Sequence, residues 1–132
     1  MTKGIIFYND HHIDLPVVPL VQRYIAKSGL PIVSCSLNKP TDFGENYVIK
    51  GKRGWATLMR QVIVALEHSK TDYVFFCEHD VLYHPSHFEF NPPRDDTYYY
   101  NAHNWRWLFG DDHAIGYDRM ISLSGLCCNR KL

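Results

Sequence analysis

Five consecutive apolar residues, Tyr73 to Cys77 (YVFFC), constrain this chain more than any other feature. A strand with no polar position offers no face to water, so it must be covered on both sides. The run then ends abruptly in Glu78-His79-Asp80. Gly4 to Tyr8 (GIIFY) and Pro31 to Leu37 (PIVSCSL) read as two further buried strands, running into Asn9-Asp10 and Asn38-Lys39. Between them, Val17, Val18, Leu20, Val21, Tyr24 and Ile25 have the spacing of one helical stripe within residues 15–27. Asp14 is its expected N-cap, Pro16 is tolerated in the first turn, and Ser28-Gly29 followed by Pro31 stops it. A short strand is expected at Tyr47 to Ile49. A second helix is expected over Gly54 to Ser69, because Trp55, Leu58, Met59, Val62, Ile63 and Leu66 recur at helical spacing.

Alternating strands and helices of this length fold into a parallel sheet with right-handed crossovers. The expected fold class is therefore α/β, a Rossmann-like and mostly parallel sheet sandwiched by helices, in a single domain over residues 1–132. Such sheets bind ligands at the carboxyl ends of their strands, which is where each of the three runs turns polar. The second half is less regular. Short strands are expected at Phe88 to Phe90, Tyr98 to Asn101 and Ile121 to Leu123, with turns at Pro92-Pro93, Arg94 to Asp96 and Gly110 to Asp112. Cys127-Cys128 fits the core of a final strand.

Charge narrows the partners. Fourteen basic residues balance fourteen acidic ones, which disfavours a general electrostatic grip on nucleic acid or acidic membrane. A local basic patch remains at Lys50, Lys52, Arg53 and Arg60. The four cysteines lack zinc-site or secreted-scaffold spacing, so they are expected to be reduced thiols. No apolar run reaches membrane-spanning length, and no targeting segment is expected ahead of the first strand. A cytoplasmic location is expected.

Glu78 and Asp80 are the first candidates for chemistry. Two carboxylates two residues apart at a strand's end can face one hard divalent cation and link it to a diphosphate. The plain alternative is a solvated turn. His84 lies close enough in sequence to turn back to the same ion. His84 and His87 are also spaced like zinc ligands on a helical turn, but Pro85 interrupts that helix and no cysteine pair stands nearby.

The segment Asp72 to Pro93 (DYVFFCEHDVLYHPSHFEFNPP), with Tyr99-Tyr100-Asn101 and Trp105-Arg106, resembles a group of small bacterial and phage glycosyltransferases of the GT-A fold, similar to family 2. The resemblance extends to Gly4–Asp10, Pro31–Leu37, Arg53-Gly54 and Arg60-Gln61. In that fold an acid-x-acid motif, usually Asp-x-Asp, ends a central strand and binds the metal of the sugar nucleotide; here its first position is Glu78. The resemblance implies a minimal or C-terminally shortened GT-A domain. Its donor would be a nucleoside diphosphate sugar, a UDP-sugar preferred, with Mn²⁺ or Mg²⁺ held by Glu78, Asp80 and His84. Tyr8, Asn9, Asp10, Arg53, Gly54, Arg60, Glu78 and His79 would line the nucleotide site. Tyr8 would stack on the base, Asn9 and Asp10 would read base or ribose edges, and the arginines would hold phosphate at a helix start. Asn101, Trp105 and Arg106 would face the sugar or an unidentified acceptor.

An inverting transferase needs a carboxylate to deprotonate the acceptor hydroxyl, and Asp111 and Asp112 are the candidates. In family-2-like enzymes that base usually comes further along than this chain extends, a departure from the pattern. Three other readings compete. A nucleotidyltransferase would normally carry a glycine-rich basic loop where this chain has Tyr8-Asn9-Asp10-His11-His12. A non-catalytic nucleotide-binding module, or an incomplete subunit of a larger transferase, would show a large exposed apolar patch or a stable homo-oligomer. A zinc hydrolase would require at least three histidines to converge on one ion.

Overall fold

In the computed structural model, which describes residues 1–13 and 16–132, the three apolar runs form the middle of a six-stranded sheet. The strands are β1 (Lys3–Asn9), β2 (Ile32–Leu37), β3 (Glu45–Ile49), β4 (Tyr73–Glu78), β5 (Tyr99–Tyr100), β6 (Asn104–Trp107), β7 (Ala114–Tyr117) and β8 (Leu126–Asn129). The helices are α1 (Val17–Ala26), α2 (Trp55–His68) and α3 (Ser86–Glu89). The main sheet has the order β3-β2-β1-β4-β8-β5. Its first four strands pair in parallel, while β8 runs antiparallel between β4 and β5. The chain is thus α/β with a mostly parallel mixed sheet, consistent with a Rossmann-like fold. The capping role expected of Asp14 falls outside the described residues.

Alternation along the strands builds two apolar layers, one on each face. Ile5 and Phe7 of β1, Phe75 and Cys77 of β4, and Cys127 of β8 pack with Val17, Val21 and Ile25 of α1 and Phe88 of α3. Ile6, Tyr8, Val74, Phe76, Leu126 and Cys128 pack with Val62 and Ala65 of α2 on the other face. The adjacent Cys127 and Cys128 therefore belong to opposite layers. All four cysteines are free and buried. Burial pushes the Cys35 and Cys128 thiols up to about 11 and Cys127 up to about 12, which makes them poor nucleophiles at neutral pH.

The link from β2 to β3 makes a parallel pair without a helix. It crosses the α1 face, where Phe43 meets the edge of Phe7 with ring centroids 4.8 Å apart. Gly44 ends the link at a φ of +69°, and a Cβ there would lie 2.6 Å from the Ile32 carbonyl oxygen, so only glycine fits.

The structure corrects the sequence reading at three places. The buried face of α2 is turned from the expected stripe: Gln61, Val62 and Ala65 are buried, while Trp55, Met59 and Ile63 are exposed. The apolar residues span two adjacent helical faces, and a polar residue that finds buried partners sits at the centre of the true contact. Phe88 to Phe90 is not a strand. Pro85 has helical φ and ψ and leads into α3, which buries Phe88 and leaves Phe90 exposed. Ile121 to Leu123 is not a strand either; Leu123 begins a short 3₁₀ turn and the sheet is rejoined only at β8. Strands β6 and β7 form a separate two-stranded hairpin that the sequence reading did not anticipate. Among the described residues, no helix is long and apolar enough to cross a membrane.

Candidate functional site

Strand order reverses between β1 and β4. From β1 the chain moves outward through β2 and β3, then returns to place β4 on the other side of β1. This is the switch point at which parallel sheets open a crevice at their carboxyl ends. The parallel register sets Tyr8 opposite Glu78, so the polar residues that follow each strand emerge together. Helix α2 runs back across the sheet, which brings its N-terminus to the same end. The resulting pocket has a volume of about 460 Å³ and is lined by Tyr8, Asp10, His12, Leu37, Arg53, Gly54, Trp55, Thr57, Leu58, Gln61, Glu78, His79 and Asp80.

The turn after β1 is held by its own side chains. Asn9 Oδ1 accepts from the His11 backbone N–H at 2.8 Å, and His11 takes a left-handed φ of 56°. That reversal returns His12 onto Asp10: the His12 backbone N–H donates to Asp10 Oδ1 at 3.1 Å, and His12 Nδ1 lies 2.5 Å from the same oxygen. The other carboxylate oxygen, Oδ2, accepts from Arg53 Nε at 2.5 Å. Burial raises the Asp10 carboxyl, but the hydrogen bonds from His12 and Arg53 outweigh it and hold the group down at about 2. Beneath the turn, buried Gln61 donates through Nε2 to the carbonyls of Asn9, at 3.0 Å, and Cys35, at 2.9 Å. It joins α2 to the ends of β1 and β2.

The β4 end is more acidic. Glu78 is half-buried, accepts at Oε1 from the Tyr8 hydroxyl at 3.1 Å, and donates its backbone N–H to the Tyr83 hydroxyl at 3.0 Å. Burial, and then the charges of Asp80 and Asp10, raise its carboxyl above the usual range, with the Tyr8 hydrogen bond opposing. His79 is only 6% exposed, and its Nε2 is buried without a hydrogen-bond partner. Burial lowers its ring below the usual histidine range, against the pull of Asp80 and Asp10. Among the described residues, three carboxylates and one arginine line the pocket, so these residues give its wall a net negative charge.

Of the residues expected at the nucleotide site, Tyr8, Asp10, Arg53, Gly54, Glu78 and His79 line this pocket. Tyr8 is 2% exposed and belongs to the α2-side core, so its ring has no open face for a base to stack on. Asn9 is buried, and its side chain is committed to His11. Arg60 is exposed, close to Gly51, and does not line the wall. Helical geometry explains this: Gly54, Thr57, Leu58 and Gln61 share one face, and Arg60 falls off it. Trp55, His12 and Gln61 were missed as site residues. For Gln61 and His12 the signal lay in position, a polar residue within an apolar stripe and a histidine just past a strand end.

Glu78 and Asp80 reach the same pocket, whereas His84 lines a neighbouring cleft and engages Ser86 Oγ at 2.9 Å through Nδ1. That cleft, about 850 Å³, lies between the main sheet and the hairpin and includes Asp80, Asn101, Trp105 and Trp107 in its walls. Asp80 borders both spaces. Arg106 lies over the Tyr117 ring, 5.4 Å from its centroid, on the hairpin itself. Asp111 and Asp112 sit between β6 and β7, within 3.0 Å and 3.2 Å of His113 Nδ1, and line neither space. Two histidines and one carboxylate converge at the pocket, His12, His79 and Asp10; among the described residues, no three histidines converge as a zinc hydrolase would require.

Fold and site define a class, an α/β chain with a pocket at the switch point of a mostly parallel sheet. No family model matches the chain, and no curated protein or solved structure matches it.

Proposed function

We propose that this chain is a metal-dependent glycosyltransferase domain that takes a nucleoside diphosphate sugar, preferably a UDP-sugar, in the switch-point pocket and an acceptor in the adjoining cleft. The observation that carries this reading is the position of Asp80, whose residue borders both spaces. A transfer reaction needs two substrates to meet at such a border.

The donor side has parts suited to a diphosphate. The first turn of α2 presents backbone N–H groups at its N-terminus with no side-chain cap, and Arg53 stands beside it. Three carboxylates on the same wall would repel the anion unless a cation accompanied it. Glu78 and Asp80 suit an oxygen-seeking Mn²⁺ or Mg²⁺, since both stand on a wall that they share with Asp10. When bound, such an ion would offset charge on the diphosphate leaving group. On the acceptor side, Trp105 and Trp107 offer apolar ring faces of the kind on which sugars stack. Proton acceptance by Asp111 or Asp112 requires the hairpin to close on the cleft, since neither residue lines it.

Calorimetric titration with UDP, with and without Mn²⁺, tests the donor site on the wild type and on Asp80→Asn. The expected result is Mn²⁺-dependent binding that weakens at least about 10-fold in the variant, in line with loss of a charge-assisted ligand. Absence of binding to UDP and to every other nucleoside diphosphate, with or without the ion, overturns the reading.

One observation favours the competing reading of a binding module or partial subunit. The hairpin region exposes Trp105 at 69%, Leu108 at 76% and Ile115 at 59%. Trp105 and Leu108 border the cleft beside the hairpin, and Ile115, paired with Arg106, lies on its other face; exposed apolar side chains gathered on one small element mark an interaction surface.

A further inference from the structure

We infer that Asp10, His12 and His79 form a three-ligand site for a borderline divalent transition ion of the Zn²⁺ class, distinct from the oxygen site of Glu78 and Asp80. The inference does not depend on the transferase reading.

Three ligand atoms, one from each residue, lie within 4.8 Å of one another. Asp10 Oδ1 is the shared corner, 2.5 Å from His12 Nδ1 and 3.7 Å from His79 Nε2. Around one ion with metal–ligand lengths of about 2.1 Å, neighbouring ligand atoms stand roughly 3–3.5 Å apart. The two distances bracket that value. Room for the ion comes from His12, whose side chain is 34% exposed and can swing outward. The His12 and His79 rings already meet edge to face, with centroids 5.2 Å apart.

The second, independent observation is His79 Nε2. It is a buried polar atom without a partner, on a residue 6% exposed, aimed at the Asp10 carboxylate from 3.7 Å. Buried polar atoms left unpaired are rare and costly. An ion at this corner would give the atom its partner. The carboxylate is also oriented as a ligand should be. Arg53 holds Oδ2 from outside, leaving Oδ1 directed at the two rings, which is the role outer-shell partners play at metal sites. Two imidazoles and one carboxylate form a donor set that zinc and its neighbours prefer and Mg²⁺ does not. All three residues line the pocket, so a remaining coordination position opens into it.

The test uses the full chain with metal alone and no nucleotide. Zn²⁺ affinity is measured by competition with a chelating dye, and Co²⁺ substitution is followed by visible absorption. The expected result is one equivalent of Zn²⁺ in the wild type, with Mg²⁺ in large excess failing to displace it. His12→Ala, at an exposed position that leaves the core intact, and His79→Gln each weaken binding by more than roughly 100-fold, beyond what loss of an outer partner costs. His113→Ala, which disrupts the exposed Asp111–Asp112–His113 group, leaves it unchanged. Failure of the wild type to bind Zn²⁺, or binding that survives both His12→Ala and His79→Gln, overturns the proposal. Neither result bears on Mn²⁺-dependent UDP binding, so the two readings fail separately.

Discussion

Gln61 gives the sharpest test of how the pocket is built. It is 1% exposed, and its amide nitrogen donates to two main-chain carbonyls, one at the end of β1 and one at the end of β2. Gln61→Met keeps the length and approximate volume of the side chain but removes the donor. A net hydrogen bond is worth about 1 kcal/mol, and an acceptor left buried without one costs about 1–3 kcal/mol. Strand carbonyls retain some pairing through the sheet, so the two losses together come to about 2–3 kcal/mol. Urea denaturation at pH 7 should show the midpoint falling with an unchanged slope, since the surface exposed on unfolding stays the same. Ile63→Met, on the exposed side of the same helix, is the control and should shift stability by no more than about 0.5 kcal/mol. A Gln61→Met change as small as the control's would falsify the claim that this amide ties α2 to the strand ends. The same variant should loosen the Asn9–Asp10 turn, because one of the lost partners is the Asn9 carbonyl itself.

Two further predictions concern the second half of the chain. Burial lowers the His87 ring to about 4 from its ordinary 6.5; the folded state therefore resists a proton that the unfolded chain accepts, and stability present above about pH 6.5 falls as pH drops toward 4, by about 3 kcal/mol in total. Denaturation midpoints at pH 7 and pH 4.5 should differ less in His87→Leu than in the wild type, and equal differences would refute the assignment. The exposed hairpin should drive concentration-dependent self-association in sedimentation experiments, abolished by Leu108→Ser with Ile115→Thr; a wild type monomeric at every concentration would count against an interaction surface there.

The elements legible in the sequence were those whose pattern answers to burial alone. β4 is apolar at every position but its last, β1 is apolar from Ile5 to Tyr8, and β2 interrupts its apolar residues only with the small Ser34 and Ser36, a pattern that a doubly covered strand tolerates; Cys127-Cys128 reads the same way in β8. Strands β6 and β7 bury almost nothing, so no periodicity announced them. The strand expected at Phe88 to Phe90 overlaps the end of α3, whose four residues are too few for a helical period to show. At the site, Glu78 and Asp80 were legible because they abut a core strand. The grouping of Asp10, His12 and His79 was not, because it depends on the parallel register that puts Tyr8 beside Glu78 and on the left-handed turn at His11. Neither is written in local spacing.

A chain with no net charge has concentrated acid where its strands end. Among the described residues, Asp10, Glu78 and Asp80 share a pocket with one arginine, whose Nε already bonds Asp10. Positive charge brought in by a cation would raise the affinity of the same pocket for an anion, and the anion would raise the affinity for the cation by the same factor. The helix α2 N-terminus and the carboxylate wall thus have opposite preferences that only a paired ligand satisfies together. A cation alone leaves the helix amides unused, and an anion alone meets the carboxylates. Cooperative binding of metal and phosphate is the behaviour this arrangement favours.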